Sequence, residues 1–297
     1  MNSSNKKKHY TKRTTIGDVV IITIMLILIA LCILPIMNLV ANAFSSPTAI
    51  MRREVTFFPV DFQVTAFQDV LGDARIMRSL AVTAILTVIV VIINLFMTTI
   101  CAYPLTYNSL KGRKVISFFI IFTMLFGAGL IPTYVLYRDL NLLNHPLVLI
   151  LPGSLGVFNM ILMRNFFLGI PDSLKESAEI DGAGPMTILW RIYIPLSLPS
   201  FATIGLFVAV GRWNAFEDAL FFMFQADEYH PIQLLLFNII QNNTSVDVAD
   251  PGGQANIGMG PVLEAATTVI ATLPILCVYP FIQKYFVKGA TLGAVKG

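Results

Sequence analysis

The sequence predicts an all-α polytopic membrane protein with six transmembrane helices. Of its 297 residues, 56% are hydrophobic and only 12% are charged, about half the charged share of soluble domains, and the mean hydropathy is +0.75. The apolar residues are gathered into long runs, and a bilayer core of roughly 30 Å takes about 20 residues of helix to cross. Lipid offers no partner to an open backbone, so runs of this length imply helices.

The runs fall at about 18–44, 78–106, 115–137, 144–168, 197–224 and 258–286. The first follows a basic stretch, Lys6 to Arg13, but is too long for the apolar region of a signal peptide, and it reads as a first span. A polar-aromatic connection, Ser45 to Met77, separates the first two runs. Short connections at 107–114 and 138–143 bracket the third. The fourth and fifth are joined by a distinctive segment, 169–196, and the last two by 225–257, which is rich in Asn, Asp, Gly and Pro. The chain therefore divides into an N-terminal segment, 1–17, a six-span domain, 18–286, and a C-terminal tail, 287–297.

Loop charge sets the expected orientation. Fourteen Lys and Arg fall on the side of both termini and of 169–196, namely Lys6, Lys7, Lys8, Lys12, Arg13, Lys111, Arg113, Lys114, Arg164, Lys175, Arg191, Lys284, Lys288 and Lys296. Five fall on the other side (Arg52, Arg53, Arg75, Arg78 and Arg138), and Arg212 lies within a run. Both termini and 169–196 are thereby expected in the cytoplasm, with 225–257 outside. The three cysteines, Cys32, Cys101 and Cys277, sit singly in apolar runs and suit neither a disulfide framework nor a metal site. No G-x-x-x-x-G-K-[ST] phosphate loop occurs, so ATP chemistry would have to come from another chain.

The 169–196 segment carries the most specific pattern. Pro171 and the Ser173/Glu176 spacing predict a capped helix start, running through Asp181 into the breaker Gly182-Ala183-Gly184-Pro185. A second short helix, Met186 to Tyr193, would present Met186, Leu189, Trp190 and Tyr193 on one apolar face before Pro195 and Pro199. Small residues at Ser177, Ala178, Gly182 and Ala183 make the tip narrow enough to enter a groove on a partner. An amphipathic loop lying on the membrane surface without a partner is the plainer alternative.

Glu176-Ser177-Ala178, then Gly182, Ile192 and Ile194-Pro195, closely resembles the "EAA" signature E-A-A-x3-G-x9-I-x-L-P of ABC importer permeases. Ser replaces the middle Ala and Ile the Leu. The flanking Ile170-Pro171-Asp172-Ser173-Leu174 and Ala178 to Ala183 resemble the MalG-like carbohydrate permeases. Asn159 to Phe167 and Lys288 to Gly297 resemble the subgroup typified by LplC and YtcP. The resemblance implies a cytoplasmic coupling helix between the fourth and fifth spans, contacting an ATPase through Glu176, Ser177, Ala178, Asp181, Gly182 and Ala183. It also implies the partners: an ATPase dimer carrying the ATP and Mg, a second related permease forming a heterodimer, and an extracytoplasmic sugar-binding protein. This chain would bind no cofactor and no nucleic acid, would catalyse nothing itself, and would sit in a bacterial cell membrane to import a carbohydrate, an oligosaccharide by subgroup.

Ionisable groups inside spans are costly and mark cavities or partners. The fifth run holds the densest set, Gly211 to Asp218. Trp213, Asn214, Phe216 and Glu217 combine aromatic faces with polar groups and suit a sugar pathway, a role that the resemblance supports. The same cluster also reads as interfacial anchoring by Trp213 with a local Arg212–Asp218 ion pair. Tyr134, Asn159, Asn94 and Glu264 are weaker pathway candidates, each better suited to hydrogen bonding between helices than to substrate contact. Asp227, Glu228, Asp247 and Asp250 in the outer loop could meet a binding protein or simply be solvated. A secondary transporter driven by an ion gradient is the competing class. It is disfavoured because no inverted repeat is visible and the middles of the first four runs lack Asp, Glu, Lys and Arg.

Overall fold

The computed structural model describes residues 16–246 and 259–294. Among these, all regular structure is helical. The expectations for Lys6 to Arg13, Asp247, Asp250 and Lys296 lie outside the described residues. The described residues form two compact units, one of 16–67 with 259–266, the other of 68–246 with 267–294.

In the first unit, α1 (Ile16–Ala43) is a 28-residue apolar helix whose side chains up to Val40 are largely exposed, as suits a helix in lipid rather than one in a globular core. Burial begins at Ala41 and Ala43. Ser45 turns the chain by donating to the Ala41 carbonyl and accepting from the Val60 amide. Ser46 caps α2 (Pro47–Met51), its hydroxyl accepting from the Ala49 amide at 3.2 Å. Phe44 stacks against Phe62 and Phe67, so much of the connection Ser45–Met77 is a folded cap on the helix end. It leads into α3 (Thr65–Gly72).

In the second unit, α4 (Ala74–Ala102) is followed by α5 (Arg113–Leu125) and α6 (Leu130–Asp139). The expected third span, 115–137, is broken at the Phe126-Gly127-Ala128-Gly129 joint, where Gly129 takes a φ of +85°, and the two halves meet at 109°. At 1.5 Å per residue each half reaches only about 15–20 Å. The fourth run is interrupted at Pro152-Gly153, giving α7 (Leu147–Ile150) and α8 (Val157–Leu168). Next come α9 (Asp172–Ile180), α10 (Pro185–Ile188), a π-helical turn over Leu189–Tyr193, and α11 (Ile194–Leu196). The axis then bends by 79° into α12 (Leu198–Asn214). The fifth run ends as helix at Asn214 and resumes as α13 (Glu217–Phe222).

The expected outer loop 225–257 is partly helical: α14 (Ile232–Val246) lies within it. Its Ile232, Leu234 and Leu236 are buried, and the Ile232 amide donates to the Thr83 hydroxyl at 2.8 Å. The apolar side chains behind Pro231 were outweighed in the sequence by the Asn and Asp that follow. Finally, α15 (Met259–Ala294) runs 36 residues through Pro274 and Pro280, past the expected start of the C-terminal tail. Among the described residues three helical stretches suffice to cross a membrane unaided: Ile16–Ala43, Ala74–Thr106 and Gly260–Val278.

Central to the second unit is α4, packed on α12, α8 and α14. Its buried face carries Ser79, Thr83, Thr87, Asn94, Thr98 and Thr99. Thr83, Thr87 and Thr99 donate to the carbonyl four residues back, which leaves small, internally satisfied surfaces for close helix contact. Gly205 of α12 meets Leu95 of α4 at such a contact.

Candidate functional site

Helix α9 starts at Asp172, two residues earlier than the Ser173/Glu176 pair requires, so no side-chain cap forms there. Asp172 itself lies in the first turn, where a carboxylate favours the positive end of the helix dipole. The other end is closed by a Schellman arrangement: the Ala183 amide bonds the Ala178 carbonyl and the Gly182 amide bonds that of Glu179. Gly182 makes this possible with a φ of +80°, and a Cβ there would meet nothing within 4 Å. The glycine is thus demanded by backbone conformation, and the space beside it is open.

Glu176, Ser177, Asp181 and Gly182 are exposed together on this turn, with Ala178 and Ala183 half-buried beneath them. Ile180 projects from the tip, 86% exposed. Beyond the turn the expected apolar face is only partly realised. Leu189 and Tyr193 are buried, but Ile188 takes the third inward place, while Met186 and Trp190 are exposed. The π turn over 189–193 explains the shift, because its wider winding breaks the 3.6-residue spacing on which that face was read.

The structure ties this segment to the second and fourth apolar runs through residues that the sequence did not single out. Tyr103, at the end of α4, donates its hydroxyl to the Pro185 carbonyl at 3.0 Å and pairs with the Tyr107 hydroxyl. Lys175 of α9 lies 3.8 Å from the Tyr107 ring centroid. Arg164 of α8 donates to the Leu105 carbonyl at 3.0 Å. Tyr103 and Tyr107 share a helical i,i+4 spacing at the end of an apolar run, the one signal that could have found them.

A second site is a cleft of about 310 Å³ lined by Val90 and Asn94 of α4, Gly153, Asn159 of α8, Arg212 and Asp218, among others. Asn94 is its hub: its amide donates to the Gly153 carbonyl at 2.8 Å, and its oxygen accepts from Thr98 at 3.2 Å and Asn159 at 3.5 Å. Gly153 is required by close approach, since a Cβ would sit 2.7 Å from Val90 Cγ1. Arg212, its side chain only 6% exposed, donates through Nη1 to Asp218 at 3.3 Å. Its Nη2 is buried and has no hydrogen-bond partner among the described residues.

Of the expected pathway residues, Asn159 lines the cleft. Trp213 is buried instead, donating its indole N–H to the Ala271 carbonyl of α15 at 2.9 Å. The Asn214 amide is spent on the Val210 carbonyl, and Phe216 stacks on Phe237. Glu217 is exposed. Tyr134 is half-buried beside Phe222 and Phe224. Among the described residues no cluster of His, Cys, Asp and Glu could hold a metal ion.

Among the described residues, an all-helical fold with several apolar helices fits a polytopic membrane protein. Residues 96–291 match the family of binding-protein-dependent transport system inner membrane components, and the chain belongs to that family. It is 37% identical over 285 residues, 94% of this chain and 98% of the other, to the polygalacturonan/rhamnogalacturonan transport system permease protein YtcP of Bacillus subtilis. It is 38% identical over 296 residues, 97% of this chain and 98% of the other, to protein LplC of the same organism. A solved structure of a bacterial ABC transporter involved in the import of the acidic polysaccharide alginate aligns with TM-score 0.83 and 35% identity, over 93% of this chain and 100% of that one. The chain is therefore an ABC transporter permease subunit, a transport component and not an enzyme.

Proposed function

We propose that this chain forms half of the translocation path of an ATP-driven importer for an oligosaccharide, and that α9 with its Gly182 turn couples it to the ATPase. The reading assigns six spans with both termini in the cytoplasm, the broken third and fourth runs each counting as one. ATP and Mg belong to the ATPase dimer. A second permease completes a heterodimer, and an extracytoplasmic binding protein delivers the sugar. Relatives named for polygalacturonan and alginate support a carbohydrate cargo.

The observation that carries the coupling assignment is the Schellman-closed turn itself. It is rigid by backbone hydrogen bonding, open in front of Gly182, and rimmed by the exposed Glu176, Ser177 and Asp181. Glu176 supplies a polar anchor, while Ala178, Gly182 and Ala183 allow close approach. On the pathway side, Asn159 and Asn94 offer amide groups in the cleft, and the reading extends the path to Tyr134, Trp213, Asn214, Phe216 and Glu217. Replacing Gly182 with Trp tests the assignment: the chain should still reach the membrane, but the ATPase dimer should no longer co-purify with it. Retention of the ATPase at wild-type stoichiometry sinks the reading.

A further inference from the structure

We propose that Tyr103, Tyr107, Tyr193 and Lys175 form a mechanical joint that passes displacement of α9 into α4, with Tyr103 as the pivot. The inference rests on the coupling role given above to α9, and it names the path by which that role would reach the membrane.

The joint is built from three kinds of contact. First, α9 has two sides. Its exposed side carries Glu176 and Ser177, and its inner side carries Lys175, whose side chain is only 21% exposed. The Lys175 ammonium sits 3.8 Å from the Tyr107 ring centroid and 3.8 Å from Glu179 on the next turn. A partly desolvated cation over a ring is a directional attraction that holds this side of the helix to the chain just beyond α4.

Second, Tyr103 fastens the far side of the turn. Its hydroxyl donates to the carbonyl of Pro185, the residue that begins α10 directly after Gly182-Ala183-Gly184. The Tyr107 hydroxyl completes the pair. The entry to the turn (Lys175) and its exit (Pro185) are thus held by two tyrosines one helical turn apart.

Third, the rings interlock. Tyr103 packs edge-on against Tyr193 at 5.0 Å and Tyr107 at 5.2 Å, and Phe167 of α8 meets Tyr193 edge-on at 5.4 Å. Edge-to-face pairs prefer a set orientation, so the stack resists shear as well as separation. The π turn supplies Tyr193 to it, with Ile188 and Leu189 buried alongside. Because α4 also packs on α8, α12 and α14, it is the helix through which a push would spread furthest.

The test uses the assembled transporter with its partner permease, ATPase dimer and binding protein. Hydrogen exchange is compared between the nucleotide-free and the ATP–vanadate-trapped states, so no sugar is needed. In the wild type, trapping should change exchange both at 172–180 and along 74–102. Tyr103→Phe keeps the ring and removes the bond to Pro185. It should leave the change at 172–180 intact while shrinking that at 74–102 about five-fold, the factor carried by one neutral hydrogen bond. Lys175→Met keeps the apolar stem, removes the cation over the Tyr107 ring and should give a smaller loss in the same place. Full-sized change at 74–102 in both variants overturns the joint, and so does a wild type in which 74–102 never responds. No response at 172–180 in the wild type would instead defeat the coupling role of α9, as would retention of the ATPase by Gly182→Trp.

Discussion

At the 172–183 turn the features that shape the exposed tip are local, whereas in the Arg212 cleft the Asn94 hub depends on partners from elsewhere in the chain. Gly182 closes α9 through amides and carbonyls no more than five residues apart. Asn94, by contrast, bonds a carbonyl 59 residues away and an amide 65 residues away. The turn spends little of its polar capacity internally and leaves carboxylates and small residues facing outward. The cleft spends almost all of its own. The comparison teaches where each kind of function is visible: a docking element advertises itself in sequence, while a lining element is hidden until the helices are assembled.

The largest expected effect comes from breaking the cleft's charge pair. Asp218→Ala would strand the buried Arg212 guanidinium, one of whose nitrogens already has no hydrogen-bond partner among the described residues. Removal of one member of a buried pair typically costs about 3 kcal/mol or more. Thermal unfolding in detergent should show this loss, and Arg212→Met in the same background should restore most of it. A cleft that loses nothing from Asp218→Ala would have a solvated, dispensable pair instead. Next in size is Gly153→Ala, whose Cβ would fall 2.7 Å from Val90 Cγ1. Overpacking of this kind costs about 1–3 kcal/mol. Combining it with Val90→Ala should cost less than the sum of the two single changes, as expected for residues in contact.

The same contrast sorts what was legible beforehand. The three uninterrupted long helices follow directly from their apolar runs. The breaks at Phe126–Gly129 and at Pro152-Gly153 were less visible, because hydropathy averages over two residues of glycine or proline without registering the bend. In the coupling segment, the helix–breaker–helix outline and the role of Gly182 at a helix end came from local chemistry. The start of α9 did not, because Asp172 begins the helix and leaves Ser173 inside it. The inner side of the segment escaped for another reason. Lys175 reads as one more positive charge in a cytoplasmic loop, and only the fold brings it over Tyr107. In the cleft, the Arg212–Asp218 pair was readable as an alternative because the two lie six residues apart, within reach across one helix break. The burial of Trp213 against Ala271 was not, since nothing local to Trp213 foretells α15.

The most direct measurement of the central claim places a photo-crosslinking residue at Ser177, on the exposed face of α9, and in a second variant at Asn214, the exposed end of α12. Each is activated in the assembled transporter under ATP-free conditions. The account predicts that Ser177 captures the ATPase subunit in high yield and that Asn214 captures none of it. Failure of Ser177 to reach the ATPase, or equal capture from both positions, would contradict it.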